Sequence, residues 1–211
     1  MDFKRINDAI LDGNIASIPQ LVKEALDQGI TPEAILNQGL IAGMSIVGQK
    51  FKANEIFVPE VLIAAKAMHA GLDLLEPLLV KSGIKPKAKI LLGTVKGDLH
   101  DIGKNLVGMM LKGAGFEVID LGIDVPADKF VKKASEEEDV SIIAMSSLLT
   151  TSMPSMKDTI EALKMSGLNS KVKIVIGGAP VTQEYADEIG ADGYAPDASS
   201  AVDRVKELLG I

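Results

Sequence analysis

Asp98, His100 and Gly103 stand together in GTVKGDLHDIGKNL, residues 93–106, directly after an apolar run and in a chain with only two histidines. An imidazole two residues beyond a carboxylate can bind a metal through one ring nitrogen while the carboxylate accepts a hydrogen bond from the other. Such support fixes the tautomer and raises the basicity of the ligating nitrogen. A packed or solvated loop histidine uses the same letters, so Asp-x-His by itself does not separate the two. The stretch lacks both the G-x-x-x-x-G-K-[ST] arrangement and the G-x-G-x-x-G fingerprint, which argues against a phosphate loop. The other histidine, His69, falls inside a helical pattern and reads as a solvated or core-edge residue.

The elements that must position His100 change character near residue 85. Residues 1 to 81 read as helices only. NIASIPQLVKEALDQG has an Asn start and a Gly stop, and TPEAILNQGLIAGMSIVGQKF opens with Thr31 as N-cap and Pro32 at the first helical position. Val58, Val61, Leu62, Ala65, Met68, Leu72, Leu75 and Leu79 then recur at the three-and-four spacing of one helix face, with Pro77 expected to kink that last helix. A four-helix-type bundle follows, and KSGIKPKAK reads as a polar linker with Gly83 and Pro86 suited to a hinge. From residue 89 short β-type runs alternate with stretches long enough for one helix each: KILLGT, FEVIDLG, VSIIAMS, VKIVIGG and ADGYA. That alternation predicts a doubly wound α/β domain with a five-stranded parallel sheet. Ligands in such sheets bind beyond the carboxyl ends of the strands, where GDLHDIG, SSLLTTS and GGAP would converge. The expected division is residues 1–84 and 85–211.

Composition narrows the chemistry. Apolar residues make up 47% and aromatics 3%, so the core is built from Ala, Val, Ile, Leu and nine Met. The net charge of −7, with basic residues scattered, argues against nucleic acid as a partner. Cysteine is absent, which removes disulfides, thiolate metal sites and cysteine nucleophiles. MDFKRINDAILDGN carries no apolar signal region, and no run approaches the roughly 18 apolar residues of a membrane span, so a cytoplasmic protein with no membrane partner is expected.

Taken jointly, Asp98-Leu99-His100-Asp101-Ile102-Gly103, Ser146-Ser147-Leu148 and Gly177-Gly178 resemble the D-x-H-x-x-G, S-x-L and G-G signature of cobalamin-binding domains of the base-off, His-on type. GMSIVGQKFKANEIFVPEVLIAAKAM is similar to the helical cap of the methyl-carrying members, such as the cobalamin module of methionine synthase. The likeness covers essentially the whole chain and extends to the stand-alone corrinoid proteins that serve methyltransferases for methanol, methylamines, betaines or methoxylated aromatics.

This resemblance implies a cobalamin or related corrinoid on the carboxyl edge of the sheet, with His100 as lower cobalt ligand, Asp98 as its hydrogen-bond partner and Ser152 next in the relay. It implies that Gly103 lets the backbone approach the nucleotide tail, that Ser146 and Thr150 hydrogen-bond the tail or line its slot, that Leu148 gives the slot an apolar wall, and that Gly177 and Gly178 leave it room. Gly97, Leu99, Asp101, Ile102 and Ala198 complete the cofactor-binding set, and Phe51, Val58 and Val61 of the cap match residues that shield the upper face. The implied role is a carrier subunit cycling between Co(I) and methyl-Co(III), with Co(II) as the inactive state. The implied partners are a substrate-specific methyltransferase built on a TIM barrel, a second methyltransferase delivering to tetrahydrofolate or coenzyme M, and a reductive activase. The alternatives are the cobalamin subunit of an adenosylcobalamin mutase and a cobalamin-based sensor.

Overall fold

The computed structural model describes residues 3–83 and 86–211. Ile84 and Lys85, and with them the expected domain boundary and part of the expected hinge, lie outside the described residues. The chain divides into two compact units, one running to Pro86 and including Gly113–Gly115, the other made of Lys87–Lys112 and Phe116–Ile211.

The first unit is helical. It comprises α1 (Lys4–Leu11), α2 (Ile18–Asp27), a short α3 (Pro32–Ala34) that continues through a π-helical stretch (Ile35–Ile41) into α4 (Ala42–Lys52), and α5 (Val58–Lys81). Thr31 is extended, and its hydroxyl accepts from the Ala34 N–H at 3.2 Å, so the expected cap forms ahead of Pro32. The π stretch was not legible in the sequence. Asn7 meets its carbonyls from α1, its Nδ2 donating to Gly39 O at 2.6 Å and Gln38 O at 3.1 Å. Ile6, Ile10, Ile18, Leu40 and Leu75 are wholly buried, and α5 runs on through Pro77 to Lys81.

The second unit holds five parallel strands in the order β2-β1-β3-β4-β5: β1 (Lys89–Thr94), β2 (Glu117–Asp120), β3 (Val140–Ser146), β4 (Lys173–Gly177) and β5 (Gly193–Ala195). The helices between and after them are α6 (Ile102–Gly113), α7 (Ala127–Glu136), α8 (Pro154–Met165), α9 (Gln183–Ile189) and α10 (Ala198–Leu209). Alternation along the strands feeds two apolar layers, as expected for a sheet covered on both faces. Leu91, Ile143, Ile174 and Ile176 pack with Phe130 of α7 and with Met156 and Ile160 of α8. Ile90, Leu92, Ile142, Ala144 and Val175 supply the opposite layer, onto which α6 packs at Gly108, where an added Cβ would meet Leu92 at 3.0 Å.

Strand order decides where the site can form. Because β1 lies between β2 and β3, consecutive crossovers leave on opposite sides and a crevice opens at the carboxyl ends of β1 and β3. The register lines up Thr94, Ser146, Gly177 and Ala195 as one row across that edge. Each loop beyond the row therefore starts level with its neighbour.

Candidate functional site

Asp98 anchors the site. Its side chain is wholly buried in the loop after β1, and it accepts four hydrogen bonds, two on each oxygen. Oδ1 takes the His100 N–H at 3.0 Å and pairs with His100 Nδ1 at 2.6 Å. Oδ2 takes the Leu148 N–H at 2.6 Å and the Ser152 hydroxyl at 3.1 Å, both from the loop after β3. Burial pushes the Asp98 carboxyl upward, but the donors from the His100 and Leu148 backbone, the His100 ring and Ser152 outweigh it and hold the group at about 2. Asp98 is thus an anion at neutral pH, and it fixes His100 with Nδ1 inward and Nε2 as the nitrogen available to a ligand. The ring itself is half exposed.

The loop carrying His100 is tied down from β2 as well. Thr94, fully buried, donates its hydroxyl to His100 O at 2.8 Å. Gly97 has a positive φ of 85° and donates its N–H to Asp124 Oδ1 at 2.7 Å, while the Asp124 N–H reaches Asp98 O at 3.0 Å. Lys104, buried in α6, pairs with Asp120 at the end of β2 and donates to Asn105 Oδ1 at 2.7 Å. Thr94, Lys104 and Asp124 were assigned no role in the sequence reading, and Ser147 stood only as the unassigned middle residue of S-x-L, although a Thr at a strand end beside the Asp-x-His loop was the one signal available for Thr94.

The surroundings of His100 would fit a broad apolar ligand. Leu99, Ile102, Ile123, Leu148 and Leu149 are all exposed beside it, up to 77% for Ile102. Large exposed apolar side chains gathered on the loops around one site call for something to cover them. Among the described residues no three metal-ligating side chains gather, and the donor set is one imidazole with one carboxylate behind it. Such a set would supply a single ligand to a metal whose other ligands came with a cofactor, with His100 holding it and Asp98 supporting the ring. A Cβ added at Gly103 would meet nothing within 4 Å, so the chain's own packing does not require glycine there and the space is open to a ligand. Gly177 and Gly178 differ. A Cβ at Gly177 would lie 2.7 Å from Ala195 O, and one at Gly178, where φ is 128°, would lie 1.8 Å from Ser147 O. These two glycines let β3, β4 and β5 close together at the edge.

The remaining expected residues fall as follows. Ser146 ends β3 and Thr150 lies exposed in the loop that follows; neither hydroxyl makes a hydrogen bond among the described residues. Asp101 is exposed, and its Oδ2 accepts from Asn105 at 3.0 Å. Ala198, buried, opens α10 behind the Asp197 cap, whose Oδ1 accepts the Ser200 N–H at 2.8 Å. In the helical unit Phe51 is half-buried near the end of α4, Val58 is half-buried at the start of α5, and Val61 is fully buried.

Fold and site together define a doubly wound cofactor-binding domain that presents one carboxylate-backed imidazole at the switch point of its sheet. Residues 88–203 match the B12 binding domain family and residues 2–76 match a second B12 binding domain, and the chain belongs to this family. It is 46% identical to dimethylamine corrinoid protein 3 of Methanosarcina acetivorans over 99% of both chains. To a corrinoid protein of Desulfitobacterium hafniense it is 44% identical over 97% of this chain and 96% of the relative. Among solved structures, a cobalamin-binding protein from Desulfitobacterium hafniense superposes with a TM-score of 0.83 at 33% identity, covering 99% of this chain and 98% of that one. A methanol:cobalamin methyltransferase complex from Methanosarcina barkeri gives 0.85 at 28% identity, covering 97% and 78%. Among the described residues no helix is long and apolar enough to cross a membrane.

Proposed function

We propose that the protein is a corrinoid methyl carrier, receiving a methyl group from one methyltransferase and handing it to a second. The single observation that carries this reading is the buried Asp98 holding His100 at 2.6 Å on the carboxyl edge, in a chain whose full-length relatives are named as corrinoid proteins. Bound there, a corrinoid supplies a cobalt centre that accepts and surrenders the methyl group. His100 would hold that metal through Nε2, and Asp98 keeps the ring proton on Nδ1 so that the Nε2 lone pair is presented outward. The Leu148 N–H and the Ser152 hydroxyl keep the carboxylate from turning, so the ring stays aligned with Nε2 outward. Leu99, Ile102 and Leu148 exclude water around the imidazole once they are covered. Ser146, Thr150 and Gly103 are the residues we assign to the nucleotide tail.

The relatives' names support a methylated amine as donor class, and that choice would rest with the partner enzyme. A donor-specific methyltransferase, an acceptor-specific methyltransferase using tetrahydrofolate or coenzyme M, and a reductive activase are the proposed partners, and the cytoplasm is the proposed location. The likeness to a methyltransferase complex over 97% of the chain favours the carrier over a mutase subunit or a sensor.

Reconstitution with hydroxocobalamin tests the reading. Wild-type protein labelled with ¹⁵N-histidine should bind the corrinoid and show label-dependent nitrogen coupling in the EPR spectrum of its reduced Co(II) form. His100→Ala should keep the corrinoid and lose that coupling. A wild-type protein that takes up none, or a His100→Ala spectrum equal to wild type, would overturn it.

A further inference from the structure

Ser147 is wholly buried, and its Oγ lies 2.7 Å from Ser152 Oγ. We propose that Ser147 is a positioning residue for His100, its hydroxyl donating to Ser152 and thereby aiming the Ser152 hydroxyl at Asp98. The proposal rests on the reading of His100 as a corrinoid ligand.

Counting protons favours the one arrangement that keeps both donors on Asp98 Oδ2. A separation of 2.7 Å between the two hydroxyl oxygens requires a proton between them, and each hydroxyl owns only one. If Ser152 supplied it, Asp98 Oδ2 would lose its hydroxyl donor, an unfavourable outcome for a buried carboxylate. If Ser147 supplies it, the Ser152 proton is free to reach Asp98 Oδ2 at 3.1 Å. Leu149 O, which lies 3.0 Å from both hydroxyls, is not stranded, because the Ser152 N–H reaches it at 3.1 Å. The result is a directed line from Ser147 through Ser152 to the Asp98 carboxylate, which in turn accepts from His100. Donation into the Ser152 oxygen polarises its O–H and strengthens the next bond in the line.

Ser147 is built to hold this orientation. Its N–H donates to Gly177 O at 3.1 Å, and its carbonyl occupies the space where a Cβ on Gly178 would stand. The backbone at Ser147 is therefore clamped between the ends of β3 and β4, which holds its Oγ within reach of Ser152.

The test uses the full chain as wild type, Ser147→Ala, Ser152→Ala, the double variant and Ser147→Cys. Each is loaded with hydroxocobalamin and reduced to Co(II), and EPR with ¹⁵N-histidine reads the ratio of histidine-ligated to unligated cobalt across one pH series. Melting of the cofactor-free proteins is followed in parallel. Ser147→Ala should retain the corrinoid and lower the ratio about twofold to tenfold, the range one hydrogen bond covers. In the Ser152→Ala background the same change should have no further effect, since Ser147 acts only through Ser152. Cysteine, close in size but a weaker donor, should fall between serine and alanine. A Ser147→Ala ratio equal to wild type, an effect undiminished in the Ser152→Ala background, or a change confined to melting would overturn the proposal while leaving His100 as ligand. A wild-type protein without histidine coupling would overturn both.

Discussion

Replacing Asp98 by Asn preserves size and removes acceptors. The carboxylate receives two donors on each oxygen, so an amide must turn its NH2 group toward two donors whichever way it sits. Turned toward His100, it drives the ring proton from Nδ1 to Nε2 and leaves the His100 N–H without an acceptor. Turned the other way, it lets the Ser152 hydroxyl swing to Leu149 O at 3.0 Å but sets the Leu148 N–H against another donor. An orphaned buried donor costs about 1–3 kcal/mol, and losing a bond to a charged acceptor adds about 1.5–3 kcal/mol. We expect Asp98→Asn to be about 3–5 kcal/mol less stable than wild type at pH 7. The gap should depend on pH. The Asp98 carboxyl is lowered from an ordinary value of 3.8 to about 2, so its stabilising contribution is complete above pH 4 and is lost as pH falls through 2. A fall from 3.8 to about 2 corresponds to about 2–3 kcal/mol at most, and the gap should narrow by about 1.5 kcal/mol between pH 4.5 and pH 2.5. Urea unfolding of the cofactor-free proteins, followed by circular dichroism at pH 7, 4.5 and 2.5, measures both quantities. A variant within about 0.5 kcal/mol of wild type at pH 7, the ordinary scatter of a surface change, or a gap constant across the series, would refute the four-donor account.

Gly178→Ala should destabilise by about 2–5 kcal/mol, because φ is 128° and the new Cβ would lie 1.8 Å from Ser147 O. The displaced Ser147 would also carry the Leu148 N–H away from Asp98, so corrinoid uptake should fall with stability; a variant that melts and loads like wild type contradicts this. Pro77→Ala should stabilise α5 by about 1–3 kcal/mol, since the helix runs through a residue that cannot donate to the turn before it. Calorimetry should show a melting midpoint raised by about 2–12 °C, and a lowered midpoint would mean that the proline ring contributes packing that outweighs the missing hydrogen bond.

Local chemistry was written in the sequence. KILLGT and VSIIAMS are β1 and β3 to the residue, because apolar β-branched runs flanked by polar segments need no distant partner to be recognised. Thr31-Pro32 announced its helix, since cap and fixed φ act within one turn. Asp98 and His100 are two residues apart, so the contact between Oδ1 and the His100 N–H is a property of the loop itself. Other features depended on what the chain meets after folding. β5 begins at Gly193, two residues into ADGYA, because the Asp192 side chain takes the Ile174 N–H at 2.8 Å and stands in for the ladder there. The π stretch exists where Asn7 of α1 arrives to meet its carbonyls. Oδ2 of Asp98 is reached by Leu148 and Ser152 only because β1 pairs with β3, bringing loops far apart in sequence to one level of the sheet edge. Ser147 reads as an ordinary polar residue at a strand end. Its burial, and the proton it gives Ser152, arise from the clamp between two strands whose adjacency no local pattern specifies. Periodicity is encoded residue by residue, whereas strand order and the partners of a buried hydroxyl are set by the minimum of the whole packed chain.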